Sequence, residues 1–160
     1  MAWAKNGTPS TLTASADTIT ISNLTANKFN LFLSYILGTS TVDIDTRFNN
    51  NSNSVYAQRN SSNGGGDATA GSGTYIDKST SSTTIFDILY GCCISGQEKL
   101  FIGFLVNQST AGAANPPSRI EYVAKFVPSP DATVTRIDNN NTGTTNAYDI
   151  GSNLTAIGTD

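Results

Sequence analysis

The chain has 160 residues, a formal net charge of −3, nine Lys plus Arg and no histidine. That length suits one domain whose core can bury roughly 70% of the surface exposed by the unfolded chain. Only 13% of residues are charged, while 22 Thr, 18 Ser, 17 Asn and 14 Gly supply the polarity, which argues against a helical bundle, a coiled coil or an acidic disordered tail.

The first segment, Met1 to Ser15, has weak strand signal and holds Trp3, the only tryptophan. It is expected to be an N-terminal arm, covering one end of the parent sandwich or pairing with a neighbouring subunit by strand addition, with Trp3, Thr11 and Leu12 as contact residues. Residues 16–160 are expected to form a single β-sandwich domain. Asp17-Thr-Ile-Thr-Ile-Ser22 alternates Ile19 and Ile21 against hydroxyls, the period of a half-buried strand. Lys28 to Leu37 carries apolar residues on both parities, which predicts a central strand with both faces covered. Thr41 to Phe48 alternates Val42, Ile44, Thr46 and Phe48 against Asp43, Asp45 and Arg47.

After the polar connector Asn49 to Ser54 comes a short strand at Val55 to Arg59. Residues 60–73, rich in Asn, Ser and Gly, predict a long surface loop, and Thr74 to Asp77 a further strand. Ile85 to Ile94 and Lys99 to Val106 read as an antiparallel hairpin turning at Ser95 to Glu98. Gln108 to Pro117 is a loop, and Arg119 to Val127 alternates until Pro128 and Pro130 stop it. Thr133 to Asp138 and Asn153 to Gly158 are the last strands, with a turn-rich loop between Asn139 and Asn146. Eight to ten strands and no helix of three turns predict an all-β fold: an antiparallel two-sheet sandwich, jelly-roll-like.

Few patterns carry chemistry. Absence of histidine removes Ser-His-Asp triads and Cys-His nucleophiles. Cys92 and Cys93 are neighbours, expected to be reduced and to face opposite sides of a strand. Asp43 and Asp45 are expected on one strand face and would hold Ca²⁺ with loop carbonyls from Asn49 to Asn51; the plainer reading is a solvated face with Arg47 beside them. With only two glutamates and no aromatic-flanked acid pair, no enzyme is expected. The Gly64-Gly-Gly66 run lacks the lysine and following helix of a phosphate loop. The scattered cations exclude a nucleic-acid footprint, no apolar run approaches a membrane span, and the start lacks a signal-peptide core. Tyr56, Tyr75 and Tyr148 flank polar loops and are candidate glycan contacts, whereas Tyr90 and Tyr122 sit in apolar strands and are expected in the core.

Several segments carry a resemblance: Met1-Ala-Trp-Ala-Lys-Asn-Gly-Thr8, Asp17-Thr-Ile19, Ala26-Asn-Lys-Phe29, Arg47-Phe-Asn-Asn50, Ser54-Val-Tyr-Ala57, Asn63-Gly-Gly65, Glu98-Lys-Leu-Phe-Ile-Gly103, Thr110 to Arg119 and Arg136-Ile-Asp138. Together they resemble small β-sandwich structural proteins of tailed viruses. The resemblance implies a virion or appendage component (capsid decoration, spike or fibre subunit) and neither an enzyme nor catalytic residues. The expected partners are copies of the chain in a homo-oligomer or filament, other virion proteins, or surface glycans, and the expected location is virion or extracellular. The alternatives are a carbohydrate-binding module and a subunit of a cellular extracellular fibril.

Overall fold

The computed structural model describes residues 2–78, 82–108, 110–128 and 132–160. Met1 and Pro130 therefore lie outside the described residues.

Thirteen strands run in chain order: β1 (Ala4–Lys5), β2 (Ser10–Thr11), β3 (Thr18–Ile21), β4 (Phe29–Val42), β5 (Asp45–Phe48), β6 (Tyr56–Ser62), β7 (Ala68–Gly73), β8 (Ile76–Asp77), β9 (Ser82–Cys92), β10 (Lys99–Gln108), β11 (Ser118–Phe126), β12 (Ile137–Asn140) and β13 (Asn153–Thr159). No helix occurs among the described residues. One sheet orders β1-β13-β4-β9-β10-β11-β6-β7, with β2 also on β13; the other orders β3-β12-β5-β8. All pairings between these strands are antiparallel. The chain is thus all-β, an antiparallel two-sheet sandwich.

The core lies between the small sheet and the inner face of the large one. Phe48 of β5 stacks on Phe101 of β10 with ring centroids 4.5 Å apart, and touches Phe32 and Phe126 at 5.7 Å each. Aromatic pairs at such spacing add about 0.5–1.5 kcal/mol beyond their buried area. A buried polar chain crosses the same gap. Thr46 Oγ1 donates to Asn139 Oδ1 at 2.7 Å, and Asn139 Nδ2 donates to Ser34 Oγ at 2.7 Å, joining β5, β12 and β4. Burying a polar group without such a partner is costly, so this chain also fixes how the sheets register.

Four sequence expectations are corrected. Thr41 to Phe48 is two strands: β4 ends at Val42 in the large sheet, and β5 starts at Asp45 in the small one. Residues 60–73 form a hairpin in place of a loop. Asn63 and Gly64 both have positive φ, 51° and 76°, and Gly65 N–H donates to Ser62 C=O at 2.9 Å. An Asn-Gly pair in this conformation matches strand twist, so the local turn chemistry outweighs the low-complexity composition. Asn139 and Asn140 belong to β12, not to the loop after it. The arm carries two strands, β1 and β2, which pair with β13 of the same chain. Asn6 pins it: buried, its Nδ2 donates to Asn30 Oδ1 at 2.8 Å, and its Oδ1 accepts from Thr25 N at 2.6 Å.

Candidate functional site: the outer face of the large sheet

The large sheet has a second face that no element among the described residues covers. Along β10, Lys99, Phe101, Gly103, Leu105 and Asn107 are buried, while the intervening Leu100, Ile102, Phe104 and Val106 are exposed. Strand register aligns these four with neighbours into rows. Leu31, Tyr90, Ile102 and Val123 form one row across β4, β9, β10 and β11. Leu33, Ile88 and Phe104 form the next, ending at Glu121. Tyr35, Phe86 and Val106 form a third, ending at Arg119. Phe29, Cys92 and Leu100 form the fourth, ending at Lys125. Period-two alternation puts every member of a row on one side of the sheet.

The patch is large. Tyr35, Phe86, Tyr90, Leu100, Ile102, Phe104, Val106 and Val123 are each 37–56% exposed. At roughly 150–250 Å² for a whole aromatic side chain, they leave about 700 Å² of side-chain surface in water. The largest apolar patch of an ordinary monomer is roughly 300–600 Å². A groove of about 470 Å³ crosses the patch between Leu100, Ile102, Val123 and Arg59.

Its charged side is balanced. Arg119 pairs with Glu121 at 3.4 Å, Lys125 with Glu98 at 3.0 Å, and Arg59 with Asp67 at 2.9 Å. The opposite side, on β13, brings Asn153, Thr155 and Thr159 beside β4. Apart from exposed Lys5, opposite Ile157 at the β1 end of the first row, such a border offers little field to a strongly charged partner.

The residues singled out from sequence fall in three places. Trp3 joins the outer face: it is 45% exposed with its ring 6.2 Å from Tyr90. Thr11 and Leu12 sit at the sheet edge, where Thr11 Oγ1 accepts from Asn153 Nδ2 at 2.7 Å and Leu12 packs partly against the core.

The three tyrosines do not form a glycan platform, which corrects that expectation. Tyr56 is 2% exposed, stacked on Phe126 at 4.9 Å, and accepts from Phe48 N–H at 2.9 Å. Burial pushes its hydroxyl up to about 12. Tyr148 is fully buried, donates to Asp43 C=O at 2.6 Å, and is also raised by burial. Tyr75 alone is half-buried, its ring 5.6 Å from the Arg47 guanidinium; the Asp45 carboxylate and then burial raise its pKa. The core assignment of Tyr122 holds, but Tyr90 is exposed on the outer face.

Asp43 and Asp45 do not share a solvated strand face. Asp43 is half-buried in the crossover between β4 and β5, its N–H donating to Asn141 Oδ1 at 3.1 Å. Asp45 is 1% exposed, opposite Asp77 in register, and its Oδ2 accepts from Thr142 Oγ1 at 2.7 Å. Its Oδ1 is buried without a hydrogen-bond partner. Burial pushes the carboxyl up to about 7, with Asp77 and Asp43 adding to the rise and Thr142 and Arg47 opposing it. Among the described residues, no group of three His, Cys, Asp or Glu side chains is placed to hold a metal ion. The cysteines are free, with Cys93 buried and Cys92 half-buried on the outer face. Burial raises the Cys93 thiol to about 11.

The outer face was missed in the sequence, though its signal is there. Lys28 to Leu37 and Lys99 to Val106 carry apolar side chains on both parities, the pattern of strands covered twice. Among the described residues, the small sheet supplies one cover. Comparison with family models, curated proteins and solved structures finds no match.

Proposed function

We propose that this chain is a non-enzymatic structural subunit that assembles with copies of itself by burying the outer face of the large sheet. The single observation that carries this reading is the four-row apolar surface on β4, β9, β10 and β11, open to water in one chain. Two such faces would bury an amount near the ~800 Å² that each partner gives to a standard-size interface. A second copy fits better than a nucleic acid or an anionic membrane, because Arg59, Arg119 and Lys125 beside the patch already pair within the chain.

A particle or appendage component, jelly-roll-like, is the form this function takes. The strand order supports it. With the β10–β11 hairpin, β13 and the arm strands set aside, the remaining eight strands in chain order run 1-8-3-6 in one sheet and 2-7-4-5 in the other. That interleaving matches the two Greek keys of a jelly roll and supports this reading. The resemblance to structural proteins of tailed viruses points the same way, and a gene neighbourhood of capsid and tail genes is the expected setting.

Light scattering over a concentration series tests the assembly. A dimer or higher closed oligomer is expected, and Ile102→Asp with Phe104→Lys is expected to return it to monomer with the fold intact. A wild-type chain that stays monomeric at high concentration overturns the reading. A monomer that floats with neutral lipid vesicles would assign the face to lipid instead.

A further inference from the structure

The core holds one chemically loaded trio that assembly does not use. Lys78 follows β8 in the small sheet, and Asp87 stands on β9 in the large sheet; both side chains are 1% exposed. Lys78 Nζ lies 2.6 Å from Asp87 Oδ2. Tyr122 on β11, itself buried, donates its hydroxyl proton to Asp87 Oδ1 at 2.6 Å. The lysine nitrogen also sits 5.3 Å from the centre of the Tyr122 ring. Gly103 on β10 makes room for that ring, since a Cβ there would come within 2.0 Å of it. Each carboxylate oxygen therefore has its own partner: an amine on one, a hydroxyl donor on the other.

An ion pair in such a place is poorly repaid. Removing two charges from water costs several kcal/mol per ion, and apolar groups of the same volume often stabilise a core better. Chemistry that removes both charges relieves that cost. We propose that Lys78 and Asp87 condense into an intramolecular isopeptide bond that ties the small sheet to the large one.

The step balances without a cofactor or an oxidant. One ammonium proton of Lys78 passes to Asp87 Oδ2, leaving an amine beside a carboxylic acid. The amine nitrogen attacks Cγ, and the negative charge developing on Oδ1 is held by the Tyr122 hydroxyl, which already points there. Oδ2 then leaves as water, taking a second proton from the nitrogen. The N–Cγ bond forms, the Cγ–Oδ2 bond breaks, and one N–H remains on the new amide. Fixed proximity of the two groups makes the reaction unimolecular. The product is neutral, and its carbonyl oxygen keeps the hydrogen bond from Tyr122. This bond stands independently of the assembly reading, because both groups lie inside one chain.

Intact-mass spectrometry of the denatured full-length chain tests it. The expected mass is one water, about 18 Da, below that of the sequence, with tryptic cleavage after Lys78 lost. Lys78→Arg keeps a cation but no condensing amine, so its mass is expected to be the full sequence mass. Tyr122→Phe, verified as folded by circular dichroism, is expected to form the bond on the order of 100-fold more slowly. A wild-type chain of full mass after prolonged incubation overturns the proposal and leaves a buried ion pair. Loss of water that persists in Lys78→Arg also overturns it, by placing the dehydration elsewhere. A folded Tyr122→Phe that reacts at the wild-type rate removes the tyrosine from the step.

Discussion

The two faces of the large sheet are built by the same strands and live in different surroundings. On the inner face, Phe32, Leu89, Phe101 and Leu105 are sealed beneath the small sheet. On the outer face, Leu100, Ile102, Phe104 and Val106 alternate with them residue by residue and stay open to water. The side chains on the two faces are equally apolar, so composition does not separate them; only the second sheet does. Half of this sheet's apolar pattern is buried by the fold, and the other half is the face proposed above to meet a second copy.

Mutations on the two faces break that comparison most sharply. Phe101→Ala removes the ring stacked on Phe48 and is expected to cost about 3–5 kcal/mol in urea unfolding. Phe104→Ser, three residues along on the open face, is expected to change monomer stability by about 0.5 kcal/mol or less while weakening assembly. Equal costs from the two would show that the outer face is covered within one chain.

Gly103→Ala probes how the inner face is fitted. The added methyl would collide with Tyr122, and overpacking of this kind costs about 1–3 kcal/mol. Thermal unfolding checks it; an unchanged midpoint would mean that Tyr122 has another position available.

Asp45 sharpens the comparison from the small sheet's side. Its folded carboxyl titrates near 7, against an ordinary value of about 3.9 in the unfolded chain. Between those values the folded form holds a proton that the unfolded chain releases. Its stabilising contribution is complete below about pH 4 and is lost as pH rises through 7. Asp45→Asn is therefore expected to raise stability on the order of 3 kcal/mol at pH 8 and to change little at pH 4. A gain that is equal at both pH values would place the effect outside this titration. At the β6–β7 turn, Gly64→Ala at φ 76° should cost about 1 kcal/mol.

Much of this architecture is readable from local patterns. The alternation in Asp17 to Ser22, Arg119 to Val127 and Asn153 to Gly158 gives β3, β11 and β13 with small end errors, because one face of each is buried and the other is not. The hairpin of β9 and β10 follows from two apolar runs around Ser95 to Glu98. What was missed depends on contacts far apart in sequence. β1 and β2 exist because β13, more than 140 residues later, offers an edge and Asn6 finds Asn30. The break between Val42 and Asp45 is invisible to alternation, since Val42, Ile44, Thr46 and Phe48 are all buried across the crossover. Tyr56 and Tyr148 border polar loops in sequence, yet their rings turn inward and their hydroxyls find backbone partners. Of the candidate surface, only Trp3 was singled out, although apolar residues on both parities of β4 and β10 already mark strands that need two covers.

Carbene footprinting of the outer face, read residue by residue as protein concentration rises, tests the central claim most directly. Labelling of Ile102, Phe104 and Val106 is expected to fall in step with the rise in mass, while Ile150, exposed in the loop before β13, stays labelled. Assembly with those three residues still fully labelled would place the contact at the sheet edges and contradict the account.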